Sequence, residues 1–168
     1  MSFSEFQLHQ DLLKGVKELG FTRPTPIQSD AIPAAMTGRD VLACAMTGSG
    51  KTMAFLLPIL HRLLEQRRRG TRGTRALIMT PTRELAAQIL EELNAVAVHT
   101  PITAAAIFGG VGMAPQEHAF RSGVDVLVAT PGRLLDHLTH PYANLGGINV
   151  LVLDEADRML DMGFLPDI

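Results

Sequence analysis

Short runs of apolar and β-branched residues alternate along the chain with longer stretches in which apolar residues recur at helical spacing. The short runs predict strands at 41–45, 76–80, 103–108, 124–129 and 150–153. Between them, Leu8, Leu12, Leu13, Val16 and Leu19 stack on one helical face over 8–19, and Leu85, Ile89, Leu93 and Val96 do so over 83–98. A third apolar helical stretch, "MAFLLPILHRLL", follows residue 52. Strands alternating with helices specify an α/β fold with a mostly parallel sheet flanked by helices. In such a sheet ligands gather beyond the carboxyl ends of the strands, and four of the five runs end in turns rich in Gly, Pro, Thr or acid.

Composition sharpens this picture only locally. The 168 residues are 46% hydrophobic and 19% charged, which is globular, and the formal net charge of -2 gives no global sign of nucleic-acid binding. Any such binding must use a local surface. Of 15 basic residues, only Lys14, Lys17 and Lys51 are lysines, and six arginines crowd the stretch from Arg62 to Arg75. The run "QRRRGTRGTR" reads as a solvated loop in preference to a nucleic-acid-facing arm, because Gly and Thr interleave the charges and no aromatic does. Cys44 is the only cysteine, which fits a reducing compartment, and its setting "DVLACAMTG" predicts a small core residue. The N-terminus lacks the pattern of a signal peptide, and no apolar run reaches membrane-spanning length, so the expected location is cytoplasmic, with no membrane partner.

The first predicted strand runs into "AMTGSGKT", residues 45–52, with a helical stretch behind it. This is a P-loop in its required context. Gly48 and Gly50 permit a tight path that turns successive N–H groups of Thr47, Gly48, Ser49, Gly50 and Lys51 toward phosphate, and the helix N-terminus adds partial positive charge. Lys51 is placed for the β- and γ-phosphates and the Thr52 hydroxyl for Mg²⁺. A P-loop needs a second acidic site, and "VLVLDE" supplies it: Asp154 for the metal, Glu155 to polarise the attacking water. Asp157, three residues beyond Asp154, suits a coupling role to other protein groups.

"DEAD" at 154–157 beside "AMTGSGKT" resembles the DEAD-box ATP-dependent RNA helicases, specifically their N-terminal RecA-like domain, over essentially the whole chain. "GFTRPTPIQ", residues 20–28, resembles the family's Q motif, which divides the chain into a Q-motif region, 1–30, and an ATP-binding domain, 31–168. The resemblance implies that Gln28 reads the adenine edge, that Phe21 stacks on the base, and that Arg23 and Thr25 line the pocket. "PTREL" at 81–85 resembles motif Ia, Gly109 and Gly110 follow, and "TPGR" at 130–133 resembles motif Ib. In the family these loops hold the sugar-phosphate backbone of RNA. Here Pro81, Thr82, Arg83, Gly109, Gly110, Thr130, Pro131, Gly132 and Arg133 would do so, with no base reading. The Thr-Pro pairs also read as ordinary helix starts, and the two readings are compatible.

Two departures from the family stand out. Met46 replaces a common Gln, outside the atoms that touch phosphate. The sequence "DMGFLPDI" closes the chain before the Ser-Ala-Thr motif and the second RecA-like domain that the resemblance implies. The expectation is therefore a sheet lacking one central strand, a raised tendency to dimerise or swap strands, and weak or absent turnover without the partner domain's arginines. Two other functions remain: a nucleotide- or RNA-binding module without turnover, and a DNA helicase of the same superfamily.

Overall fold

The computed structural model describes residues 1–66 and 73–168, so most of the basic run lies outside the described residues. The chain divides into two compact units, Met1–Arg67 with Glu92–Pro101, and Arg68–Glu91 with Ile102–Ile168.

The first unit is helical. A single 3-10 turn, Phe3–Phe6, buries both of its phenylalanines, whose rings meet edge to face with centroids 6.0 Å apart. Helix α1, Gln10–Glu18, starts where the His9 side chain accepts from the Asp11 N–H, and it buries Leu12 and Val16 as the predicted stripe requires. Leu19 lies past its end and is exposed. Helix α2, Pro26–Met36, has proline at its first position and the Gln28 side chain folded back on the Thr25 N–H, which together fix where it begins. Helix α3, Lys51–Glu65, is apolar around most of its girth, with Leu56, Leu57 and Leu60 fully buried, and α2 and α1 pack on it.

The run 41–45 forms no strand, contrary to expectation. A β-strand has no hydrogen bonds of its own; it needs a neighbour, and no ladder among the described residues reaches this run. Leu42 is accordingly 95% exposed, and Cys44 is exposed instead of buried in a core.

The second unit holds the sheet. Its strands are β1 (Ala76–Met79), β2 (Ala104–Ile107), β3 (Val126–Ala129) and β4 (Val150–Leu153), all parallel, in the order β2-β3-β1-β4. Connecting or following them are α4 (Arg83–Val96, whose last residues belong to the first unit), α5 (Met113–Ser122), α6 (Pro131–Leu138) and α7 (Ala156–Asp161). The central strands β1 and β3 are buried at every residue, as continuous apolar runs in a covered parallel sheet should be. Leu77, Met79, Leu127 and Ala129 face Phe120, Leu134 and Met159 in one core. Strand β4 is different. Among the described residues it pairs only with β1, and Leu151 and Leu153 remain 56% and 38% exposed.

Arg75, the last arginine of the basic run, is structural: its Nη2 lies 2.9 Å from Oδ1 of the buried Asp125, whose other oxygen accepts from the Thr103 N–H at 2.9 Å. Among the described residues no helix is long and apolar enough to cross a membrane.

Candidate functional site

The predicted phosphate-binding turn lies in the first unit and is formed by local geometry. The Ser49 N–H bonds the Met46 carbonyl at 3.2 Å, Gly48 and Gly50 take φ of +78° and +85°, and α3 starts at Lys51. Thr47 and Gly48 are exposed, while Lys51 and Thr52, the first two residues of the helix, are half-buried. Glycine is required at position 50 twice over. Its φ is in the left-handed region, and a Cβ there would meet Gln28 Nε2 at 2.5 Å and Thr25 Oγ1 at 2.9 Å.

Gln28 therefore does something that its motif did not disclose. Its Oε1 accepts from the Thr25 N–H at 3.0 Å and its Nε2 donates to the Gly50 carbonyl at 3.0 Å, so a single buried amide ties the start of α2 to the phosphate turn. One lone pair and one N–H of that amide are left for a base. Phe21 is 42% exposed and Arg23 is exposed, which leaves both accessible. The turn also fits an anionic guest: Ser49 Oγ is buried and has no hydrogen-bond partner among the described residues.

In the second unit the acids stand at the carboxyl end of β4. Asp154 is buried; its N–H bonds the Met79 carbonyl at 2.8 Å and its Oδ2 lies 3.4 Å from the Thr80 hydroxyl. Thr80 follows β1 directly, so two neighbouring strand ends present a carboxylate and a hydroxyl together. Such hard oxygen donors suit Mg²⁺, an ion that brings much of its own shell as water and phosphate. No cluster of three or more acidic, His or Cys side chains of metal-holding geometry occurs among the described residues. Glu155 carries φ +54°, one of two non-glycine residues in the left-handed region among the described residues, and this kink lets α7 leave the strand at once. Asp157 is exposed in the first turn of α7.

The three predicted RNA loops meet in this unit. Arg83 Nη1 lies over Gly110, close enough that a Cβ at that glycine would be 2.5 Å away, and Gly110 itself has φ +83°. Arg133 Nη1 donates to the Val111 carbonyl at 2.8 Å. Thr82 accepts from the Leu85 N–H at 3.3 Å as a helix cap, whereas the Thr130 hydroxyl makes no capping bond. Pro81 and Pro131 are buried, and Gly132 is exposed at the start of α6. The two arginines differ: the Arg83 side chain is 57% exposed and the Arg133 side chain 15%. Arg83 is thus available to phosphate, while Arg133 mainly holds the loop beside it. A buried polar group that the motifs did not flag, His137, lies on α6 four residues after Arg133.

Residues 25–168 match the family model described as DEAD/DEAH box helicase. The chain is 51% identical over 168 residues to the probable ATP-dependent RNA helicase ddx27 of Dictyostelium discoideum, covering 99% of this chain and 21% of that protein. It is 48% identical over 167 residues to the ATP-dependent RNA helicase SrmB of Escherichia coli, covering 99% of this chain and 38% of that protein. With the probable ATP-dependent RNA helicase DDX27 of Homo sapiens the identity is 47% over 165 residues, 98% of this chain and 21% of that one. The chain thus spans between a fifth and two-fifths of the length of these curated relatives.

Proposed function

Because the chain belongs to the DEAD/DEAH box helicase family, we propose that it is the ATP-binding part of an ATP-dependent RNA helicase. The observation that carries this reading is the phosphate turn. Two left-handed glycines deliver Lys51 and Thr52 as the first residues of a fifteen-residue helix, with Gln28 fastened to the turn from the Q-motif side.

In this reading residues 1–30 form the base-reading region and 31–168 the nucleotide and RNA domain. Phe21 stacks on adenine, Gln28 reads its edge, and Arg23 and Thr25 border it. The backbone of 47–51 surrounds the phosphates. Thr52 and Asp154 are the residues that would hold a Mg²⁺ ion accompanying ATP, which would supply positive charge to neutralise the phosphates. Glu155 orients the attacking water, and Asp157 couples nucleotide state to other protein groups. Arg83, with the N–H groups and hydroxyls of Thr82, Gly109, Gly110, Thr130 and Gly132, contacts the RNA backbone, while Pro81, Pro131 and Arg133 shape the loops that present them. RNA is favoured over DNA because the named relatives are RNA helicases. A cytoplasmic location accords with the single thiol, Cys44.

Two features of the 168-residue chain favour binding without efficient turnover on its own. Among the described residues, the run 41–45 before the phosphate turn is not held in a sheet, and β4, which carries the acids, is an edge strand with exposed leucines. The same open edge favours self-association through β4, to be read by sedimentation across a concentration series. Nucleotide binding is tested by titrating a fluorescent ADP analogue with Mg²⁺: binding that Lys51→Ala abolishes is expected, and equal affinity in that variant overturns the reading. RNA-stimulated hydrolysis lost in Glu155→Gln would show turnover by this chain; its absence, with binding intact, would leave the binding-module function.

A further inference from the structure

Gly109 and Gly110 are flanked by two carbonyls, those of Phe108 and Val111, the first held from α5 by Gln116 and the second from α6 by Arg133. The Val111 carbonyl accepts directly from Arg133 Nη1 at 2.8 Å. The Phe108 carbonyl accepts from Gln116 Nε2 at 2.8 Å, and Gln116 Oε1 lies 2.9 Å from His137 Nε2. Positions 133 and 137 are one helical turn apart on the same face of α6, so this helix holds one side of the glycine turn directly and the other through Gln116 of α5.

The directions of these bonds are determined by a single fact. A carbonyl only accepts, so Gln116 presents its NH₂ to Phe108 and its oxygen to His137. His137 Nε2 must then carry a proton, and in the neutral ring Nδ1 accepts from the Tyr142 hydroxyl at 2.7 Å. Gln116 is 5% exposed and His137 fully buried. Phe120 and Tyr142 pack on the imidazole, with ring centroids 5.1 and 5.8 Å away. A buried polar chain in which each side-chain nitrogen and oxygen of Gln116 and His137 has a partner defines one geometry and penalises others, because displacement strands a polar group away from water.

We propose that His137, acting through Gln116, is a positioning residue for RNA binding: it fixes the Gly109/Gly110 turn relative to the amino end of α6, so that both present their N–H groups to one RNA backbone. This rests on the RNA reading above and adds to it a residue pair that makes no RNA contact. Pre-setting the turn removes an ordering cost from binding, so loss of the relay weakens RNA affinity even where the fold survives.

The test is RNA affinity of the 168-residue chain, by anisotropy of a labelled oligouridylate with Mg²⁺ and a non-hydrolysable ATP analogue. His137→Phe keeps the ring and removes both nitrogens; Gln116→Met keeps the length and removes the amide. Each is expected to weaken RNA binding roughly tenfold, leave nucleotide affinity unchanged, and move the Gly109 and Gly110 amide resonances. His137→Gln, which restores a donor toward Gln116, is expected to recover part of the loss. If His137→Phe does not fold, Gln116→Met decides the matter alone. Wild-type affinity in a folded Gln116→Met or His137→Phe chain, alongside a weakened Arg83→Ala, overturns this proposal and leaves the RNA reading intact. No RNA binding by the wild-type chain overturns both.

Discussion

The run 41–45 and the run 76–79 have the same apolar character, yet one is exposed chain and the other is the buried centre of a sheet. What separates them is pairing. Strand β1 has β3 on one side and β4 on the other, in register from Ala76 to Met79, whereas the earlier run has no ladder among the described residues. The glycine turn that follows 41–45, the predicted phosphate site, forms nonetheless, because the bonds of such a turn and of a helix start are made within a few residues. Local motifs and non-local strands thus respond differently to the same absence of a neighbour.

The largest expected effect breaks this comparison most directly. Ile78→Ala in β1, at a position with no exposed surface, should lower unfolding free energy by about 2–5 kcal/mol. Leu42→Ala, at a residue 95% exposed, should change it by less than about 0.5 kcal/mol. Urea midpoints for the two variants measure both, and a Leu42 effect approaching that of Ile78 would mean that 41–45 is buried in solution.

Next in size is Gly50→Ala. The left-handed φ costs about 1 kcal/mol, and the collision with Gln28 Nε2 adds displacement of the amide that links α2 to the turn. Nucleotide affinity should fall at least about tenfold with a lowered melting temperature. Gly48→Ala meets nothing within 4 Å and should show only the backbone cost. Equal losses in the two variants would remove the Gln28 link from the account.

These contrasts mark how far the sequence could be read. The four paired strands were legible because their apolar runs are continuous and end in turn residues. The motif turns were legible because glycine, proline and threonine sit at fixed offsets. The fate of 41–45 and of Cys44 was not, since strand formation depends on a neighbour that local pattern does not name. Gln28 was legible as a motif residue, but its hold on the Gly50 carbonyl, 22 positions away, was not. His137 was invisible for the same reason: its partner Gln116 is 21 positions distant, and an isolated histidine on a helix carries no motif. The left-handed Glu155 gave no signal either, because no glycine marks the kink.

The smallest expected effect compares one histidine from each unit as pH falls. Burial lowers the His61 pKa, His9 adds to the lowering and Glu65 opposes it. Burial also lowers that of His137; Arg133 and His140 push the same way against Asp136 and Glu117, while Tyr142 and Gln116 occupy its two nitrogens. For both groups the folded pKa lies below the unfolded value of 6.5. Above that value both states are neutral and the stability is fully present. Below it the unfolded chain takes up the proton first, so stability declines until pH passes the folded pKa. The two sites differ in what the proton breaks. His61 Nδ1 accepts from the His9 backbone N–H at 3.0 Å, a group that can only donate, so protonation there must cost that bond. The Tyr142 hydroxyl can turn and accept from a charged His137, but this ring is fully buried, so its charge meets the larger desolvation cost. Urea midpoints from pH 8 to pH 5 should therefore fall below about pH 6.5, with His137→Phe flattening the decline more than His61→Gln does. An unchanged slope in His137→Phe would mean that this imidazole is already accessible to solvent protons in the native state, and the fixed tautomer assigned to it would fall with that result.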